Sequence, residues 1–172
     1  MIKTLIFVLT GLLLLSYNAN AQSKVTDNNF KFSIFLASDW TKTKVEETPK
    51  KDAISYSFDN TDGSNALMIL AFKVNGVKDI DDFIYNLEKD IGLNISPKTS
   101  TGYTSKDFDS YQRKMALYGD DQVVETIYYY TTNNEGATEN YAYVLRFITL
   151  KDKYNSTVAK EIEEIAGTFE PL

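Results

Sequence analysis

Two long runs of β-branched and aromatic residues constrain the fold of this chain more than any other feature. They occupy residues 123–132 and 141–150, and the polar segment between them contains Gly136. Residues of these types favour strands, and two such runs around a turn-forming segment are typical of a β-hairpin. The sequence therefore predicts a long antiparallel pair of strands at the centre of the fold.

The register of this hairpin decides which side chains share a face of the sheet. An even-length turn centred on Gly136 and Ala137 pairs residues whose numbers sum to 273. A two-residue turn with Gly first is a favoured type. One face then carries Tyr128, Tyr130, Tyr141, Tyr143, Leu145 and Phe147, and the other carries Glu125, Ile127, Tyr129, Val144, Arg146, Ile148 and Leu150. Neither face is plainly polar, so we expect another element to cover each one. A three- or five-residue loop would exchange the faces of one strand.

The N-terminal segment has the features of a secretory signal peptide. Lys3 precedes an apolar run, which is followed by Ala19, Asn20 and Ala21, the small-x-small pattern of a cleavage site. We predict that residues 1–21 are a signal peptide cleaved after Ala21. No later stretch is long and apolar enough for a transmembrane helix. We therefore expect a soluble bacterial protein, periplasmic or secreted, with no transmembrane segment after cleavage.

The remaining residues, 22–172, have a length typical of a single domain. Their composition limits the chemistry that this domain can perform. The chain has no Cys and no His, which excludes disulfides, thiolate nucleophiles and Ser–His dyads. Its net charge is −6, and loss of Lys3 makes it one unit more negative. We expect no nucleic acid partner, because neutralising phosphates requires a basic stripe. No catalytic or phosphate-binding motif occurs, so we predict no catalytic residues, no cofactor and no metal ligands.

Shorter patterns complete the predicted sheet. The predicted strands are residues 30–36, 44–46 at a sheet edge, 53–58, 66–74 and 108–118. The polar residues 22–28 are predicted to be a loose leader, and residues 94–106 a loop that could include a short extended piece. Trp40, the only Trp, is expected to anchor the core or its rim, with ligand stacking as the alternative.

Two amphipathic patterns predict helices at residues 79–90 and 151–167. Their apolar stripes are Ile80, Phe83, Ile84, Leu87 and Ile91 in the first, and Tyr154, Val158, Ile162, Ile165 and Phe169 in the second. Asp79, Asp81 and Asp82 suit the start of the first helix, and Gly92 is placed to end it. The second helix has three candidate N-caps, namely Asp152, Asn155 and Ser156.

The order of these elements, together with three short stretches, resembles the PsbP-like and Mog-like superfamily. The stretches are residues 30–36 followed by Trp40, residues 82–84 in the middle helix, and residues 162–169 at the end. Among its members, the bacterial exported DcrB-like proteins are the most similar. The resemblance implies an α+β fold, an α/β/α sandwich with a central antiparallel sheet and a helix on each face. It implies no active site, since members are mostly non-enzymatic proteins that dock on larger partners.

Two features are candidates for binding. Tyr128, Tyr130, Tyr141 and Tyr143 form a possible interaction surface, because Tyr is enriched at interfaces. The other interpretation is that these rings cover the sheet beneath a helix. Residues 59–65 are rich in Asp and Asn but depart from the EF-hand pattern, and the alternative there is a hairpin turn. The sequence does not decide whether this segment binds a cation.

These observations lead to a functional hypothesis. The chain is predicted to be an exported, monomeric or weakly associating, non-catalytic interaction domain that docks on an envelope or secreted partner protein. The alternative is a protein that binds a small ligand or metal ion in a pocket between sheet and helix. An enzyme that uses carboxylates is the third possibility.

Overall fold

The computed structural model of the protein describes residues 22–74, 79–89, 91–132 and 139–172, with only the backbone described at residue 91. The predicted signal peptide and the turn around Gly136 lie outside these ranges, as does the side chain of Ile91 in the first helical stripe. Within the described residues, no helix is long and apolar enough to cross a membrane.

Ten strands and two helices form the described part of the chain. The strands are β1 (Gln22–Asp27), β2 (Phe32–Ala37), β3 (Trp40–Glu47), β4 (Ala53–Asn60), β5 (Asn65–Val74), β6 (Thr104–Asp107), β7 (Tyr111–Gly119), β8 (Val123–Thr132), β9 (Asn140–Leu150) and β10 (Glu170–Pro171). The helices are α1 (Ile80–Glu88) and α2 (Ser156–Gly167), and a 3-10 turn, Ile91–Leu93, follows α1.

The predicted hairpin is the centre of a seven-stranded antiparallel sheet. The strand order is β3-β4-β5-β9-β8-β7-β6, so β8 and β9 each have a neighbour on both sides. Tyr130 pairs with Tyr143 and Tyr128 with Leu145, which confirms the register in which residue numbers sum to 273. The edge strand predicted around residue 45 is also present, as β3.

Each face of this sheet has its own apolar core, which confirms the predicted α+β sandwich. On one face Tyr128, Tyr130, Tyr143, Leu145 and Phe147 pack with Ile162 and Ala166 of α2 and with β2. On the other face Ile127, Tyr129 and Val144 pack with Ile80, Phe83, Ile84 and Leu87 of α1. The two faces therefore hold the side chains that the register assigns to them.

A second, three-stranded sheet, in the order β1-β2-β10, covers the α2 face beside the helix. The prediction of a loose leader at residues 22–28 is wrong, because β1 pairs with β2 from Gln22 to Asp27. The polar composition of β1 is compatible with a strand because most of its side chains are exposed. Asp27, the buried exception, accepts hydrogen bonds from the backbone N–H groups of Asn29 and Phe30 and from the Tyr56 hydroxyl.

The helix ends differ from the prediction. Asp79 caps α1, and its carboxylate accepts the N–H of Asp82 at 2.9 Å, but the helix ends at Glu88 and Gly92 lies in the 3-10 turn. Helix α2 begins only after Asn155, whose side chain caps it by accepting two backbone N–H groups. The chain first turns after Leu150, whose carbonyl oxygen accepts the N–H groups of Lys153 and Tyr154.

A buried ion pair holds the segment after α1 against the sheet. Arg146 Nε lies 2.6 Å from Glu125 Oε2, and both side chains are buried. The guanidinium also donates to the carbonyl oxygens of Leu93 at 2.7 Å and Asn94 at 3.0 Å. The Ser96 hydroxyl donates to Glu125 Oε1 at 2.6 Å. Every charged group of the pair therefore has hydrogen-bond partners, the condition under which a buried ion pair is tolerated.

We expect Phe83→Ala to destabilise the protein by about 3–5 kcal/mol, because it removes a buried ring from the α1 core. Tyr85→Ala is the matched control on the same helix, since 58% of Tyr85 is exposed. Urea denaturation followed by circular dichroism measures both values. Equal losses for the two variants would contradict the packing of α1 described above.

We expect Arg146→Met to cost about 3–5 kcal/mol, because it leaves the Glu125 carboxylate buried without its cation. The double variant Arg146→Met/Glu125→Leu should lose less than the sum of its single variants, since no buried charge remains. A double-mutant cycle in urea measures this coupling. Strict additivity would show that the two side chains do not stabilise one another.

Candidate functional site

The four candidate tyrosines are not all available at the surface. Tyr128, Tyr130 and Tyr143 are buried, and Tyr141 is partly exposed. The Tyr130 hydroxyl donates to the Ala166 carbonyl oxygen at 3.1 Å, which ties β8 to the end of α2. The Tyr143 hydroxyl lies 3.0 Å and 2.9 Å from the carbonyl oxygens of Phe30 and Lys31. This placement supports the interpretation that these rings pack the sheet.

Burial also fixes the protonation of these rings. It raises the pKa of Tyr128 to about 12. Burial raises the pKa of Tyr130 and Tyr143 further, so both hydroxyls stay neutral donors at physiological pH. Neutral, hydrogen-bonded phenols inside a core are structural groups, and none of the three has the lowered pKa of an activated nucleophile.

A second tyrosine cluster lies on the α1 face. The Tyr118 hydroxyl donates to Glu88 Oε1 at 2.5 Å and lies 2.9 Å from the Tyr129 hydroxyl. Tyr103 donates to the same carboxylate oxygen at 2.7 Å. Burial and the bond to Glu88 raise the pKa of Tyr118. These contacts fasten the end of α1 and the segment around Tyr103 to the sheet, which again is a packing role.

Residues 59–65 span the end of β4, the turn at residues 61–64 and the start of β5. Asp62 Oδ1 accepts the N–H and the hydroxyl of Ser64 at 2.9 Å and 2.6 Å, and Asn60 Oδ1 accepts the N–H of Asn65 at 2.9 Å. Gly63 has a φ of 71°, in the left-handed region that favours Gly. Within the described residues, no group of three acidic side chains is placed to hold a metal ion.

A groove between α2 and the β2–β3 turn forms a concave surface in the described part of the chain. It has a volume of about 520 Å³. Its wall on the strand side is formed by Gln22, Phe35, Ala37, Ser38, Asp39 and Trp40, and its wall on the helix side by Glu161, Glu164, Ile165 and Thr168. We call these ten residues the Trp40 groove.

Trp40 is held in place at the end of this groove. Its ring makes an edge-to-face contact with Phe147, with 6.3 Å between ring centroids, and part of the side chain is exposed. The prediction of a rim anchor is thus confirmed, and the partly exposed indole also lines the groove. An aromatic ring fixed on one side and open on the other is suited to contact a ligand.

The acidic side chains of the groove come from distant parts of the sequence. Asp39 lies in the β2–β3 turn, whereas Glu161 and Glu164 lie on α2. All three are exposed, and Glu164 has an ion pair with Lys160 at 3.4 Å. No local motif connects the turn to the helix, so sequence reasoning missed this site. The ligand-stacking alternative for Trp40 was the one signal that pointed to it.

Comparison with solved structures identifies the fold. The chain superposes on PsbP (CyanoP) from Synechocystis sp. PCC 6803 with a TM-score of 0.60 and 12% identity, over 91% of this chain and 96% of that one. The chain has the PsbP/Mog1-like fold. The Saccharomyces cerevisiae Ran-binding protein Mog1p superposes with a TM-score of 0.51 and 8% identity, over 89% of this chain and 96% of that one.

A protein of Bacteroides thetaiotaomicron VPI-5482 shares the fold at higher identity. It superposes with a TM-score of 0.51 and 20% identity over 89% of this chain, which spans 49% of that protein. No family model and no curated protein sequence matches the chain. At these identities the comparisons establish the fold, and the function has to be argued from the site.

We expect Tyr143→Ser to destabilise the protein by about 3–5 kcal/mol, the cost of removing a large buried ring. Tyr141→Ser, on the same strand and face, should cost clearly less because Tyr141 is partly exposed and its hydroxyl donates to the exposed Glu139 carboxylate. Thermal unfolding monitored by circular dichroism compares the two. If Tyr143→Ser unfolded at the wild-type temperature, the ring would not be part of the core.

Proposed function

We propose that the protein is an exported, monomeric, non-catalytic interaction domain of the DcrB-like type that docks on an envelope or secreted partner protein through the Trp40 groove. The observation that carries the proposal is the groove itself, an open surface with a fixed aromatic ring and three exposed carboxylates. The predicted signal peptide supports export to a compartment in which such partners occur.

The chemistry available in the chain supports a binding role over a catalytic one. The sequence has no His and no Cys, which are the most common acid–base and thiol groups of active sites. Burial raises the pKa of Tyr130 and Tyr143, and their hydroxyls donate to backbone carbonyl oxygens. A fold shared with the yeast Ran-binding protein is consistent with a docking domain.

A small-ligand binding protein is the second candidate, and the size of the groove favours it. Sites for small molecules measure about 300–1,000 Å³, and the Trp40 groove, at about 520 Å³, lies within that range. The two candidates predict different purified proteins, because only the small-ligand binding protein should retain a bound small molecule.

Site-specific crosslinking tests the docking proposal. A photoreactive phenylalanine analogue is placed at Ser38, an exposed residue of the groove, and at Ser110, an exposed residue at the opposite end of the sheet. Both variants are expressed with the native leader in the native host and irradiated in the intact cell. We expect a discrete protein adduct for position 38 that is absent for position 110.

Native mass spectrometry of the exported protein, purified without refolding, separates the two candidates. For the docking domain we expect a monomer without an adduct, with the mass of a chain whose first residue is Gln22. A stoichiometric small molecule on the monomer, together with no crosslink at position 38, would replace docking with ligand binding. Equal crosslinking at both positions would show that the groove is not the contact surface.

A further inference from the structure

The charge of the Trp40 groove selects the kind of partner. Every ionisable side chain that lines the groove is a carboxylate, namely Asp39, Glu161 and Glu164, and these three outnumber the single α-ammonium that cleavage before Gln22 would add. The ion pair of Glu164 with Lys160 joins two exposed side chains and therefore neutralises the groove only weakly. Lys24 does not line the groove, but its ammonium lies over the ring of Phe35, 5.3 Å from the ring centroid. An occupant that is itself cationic would complement these carboxylates.

Two residues of the strand-side wall, Phe35 and Ala37, belong to the edge of β2 beyond the point at which its pairing with the C-terminal segment ends. Leu172 N–H donates to the Lys31 carbonyl oxygen at 2.8 Å, and Glu170 pairs with Ser33. At Phe35 a side chain replaces the neighbouring strand. The Phe35 N–H donates to Thr168 Oγ1 at 3.0 Å, and that hydroxyl lies 3.2 Å from the Phe35 carbonyl oxygen.

The next backbone groups on this edge belong to Ala37. In an antiparallel sheet, alternate residues of a strand direct their N–H and C=O groups to the same side, so Ala37 follows Lys31, Ser33 and Phe35. Ala37 is the last residue of β2 and lines the groove. A short extended segment placed in the groove therefore meets a donor and an acceptor with the spacing of a strand edge.

The walls of the groove suit the stems of long cationic side chains. Trp40 is partly exposed, and Phe35 is 38% exposed although Lys24 lies over its ring, so Trp40 and the uncovered part of Phe35 offer aromatic surface. Lysine and arginine pack their aliphatic stems on such surface and place the charged group over a ring or beside a carboxylate. A metal ion would use only the carboxylates, whereas a basic peptide would use the carboxylates, the rings and the backbone edge together.

From these contacts we infer that the groove binds an extended, basic peptide segment of a partner protein, which adds to β2 at Ala37 and places lysine or arginine side chains against Asp39, Glu161 and Glu164. The inference rests on the proposed docking function and names the chemistry of the partner at the same groove.

The single Trp of the chain makes the test direct, because Trp40 lines the groove and all tryptophan fluorescence comes from it. The probe is an octapeptide of alternating Lys and Thr, with both ends blocked, titrated into the exported protein at low salt. We expect a saturable change in Trp40 emission that weakens as the salt concentration rises. No change at any peptide concentration, with binding also absent by calorimetry, would overturn the inference.

Two comparisons separate charge from strand pairing. The variant Asp39→Asn/Glu161→Gln/Glu164→Gln should raise the Kd about tenfold, since three exposed ion pairs of ordinary strength account for about that factor. Its control, Asp121→Asn/Asp152→Asn/Glu163→Gln, removes the same charge outside the groove lining and includes a neighbouring position on α2. Equal Kd values for the two variants would overturn the charge assignment.

The same peptide with alternate backbone nitrogens methylated keeps its charge and length but cannot pair with a strand edge on that side. We expect it to bind at least tenfold more weakly, and equal affinity would overturn addition to β2. If neither peptide binds the protein, the crosslink at position 38 still tests the docking function separately. A crosslinked partner without peptide binding would therefore reject the basic peptide and keep the docking function.

Discussion

The pairing of β8 with β9 is the constraint on which the rest of the structure depends. Its register commits Tyr128 and Tyr130 to the α2 face and Ile127 and Tyr129 to the α1 face. Since both faces are then apolar, each requires a cover, and one helix alone could not supply both. A slip by one residue would also move Glu125 to the face opposite Arg146. Register, covering helices and the buried ion pair are therefore mutually dependent.

The two covers differ, and the difference places the groove. The α1 face is covered by a short helix and by the segment after it, which Arg146 holds through two carbonyl oxygens. The α2 face is covered by a helix beside a small sheet. A helix cannot continue the hydrogen bonding of a strand edge, so Thr168 satisfies Phe35 with its hydroxyl. Beyond this point the junction opens, and the groove follows from joining a helix to a sheet edge.

Local patterns in the sequence were sufficient for most of the fold but not for the site. Alternation predicted the faces of β8 and β9, and spacing predicted the stripes of both helices, because each is a property of neighbouring residues. The strand β1 was missed because its pairing depends on backbone contacts with β2 rather than on apolar side chains. The Trp40 groove joins a turn near residue 39 to a helix near residue 161, and no periodicity in the sequence connects them.

The separation of core from groove has a consequence for binding. Three of the four tyrosines that suggested an interface from sequence are buried in the core, and the hydroxyls of Tyr130 and Tyr143 are bonded to backbone carbonyl oxygens. The groove walls are nonetheless anchored by that packing, because Trp40 contacts Phe147 and α2 is fixed by Ile162 and Ala166. A site with fixed walls loses little conformational entropy when it binds, which favours affinity. The carboxylates project from the exposed side of the same elements, so their charge can be changed while the core that positions them stays intact.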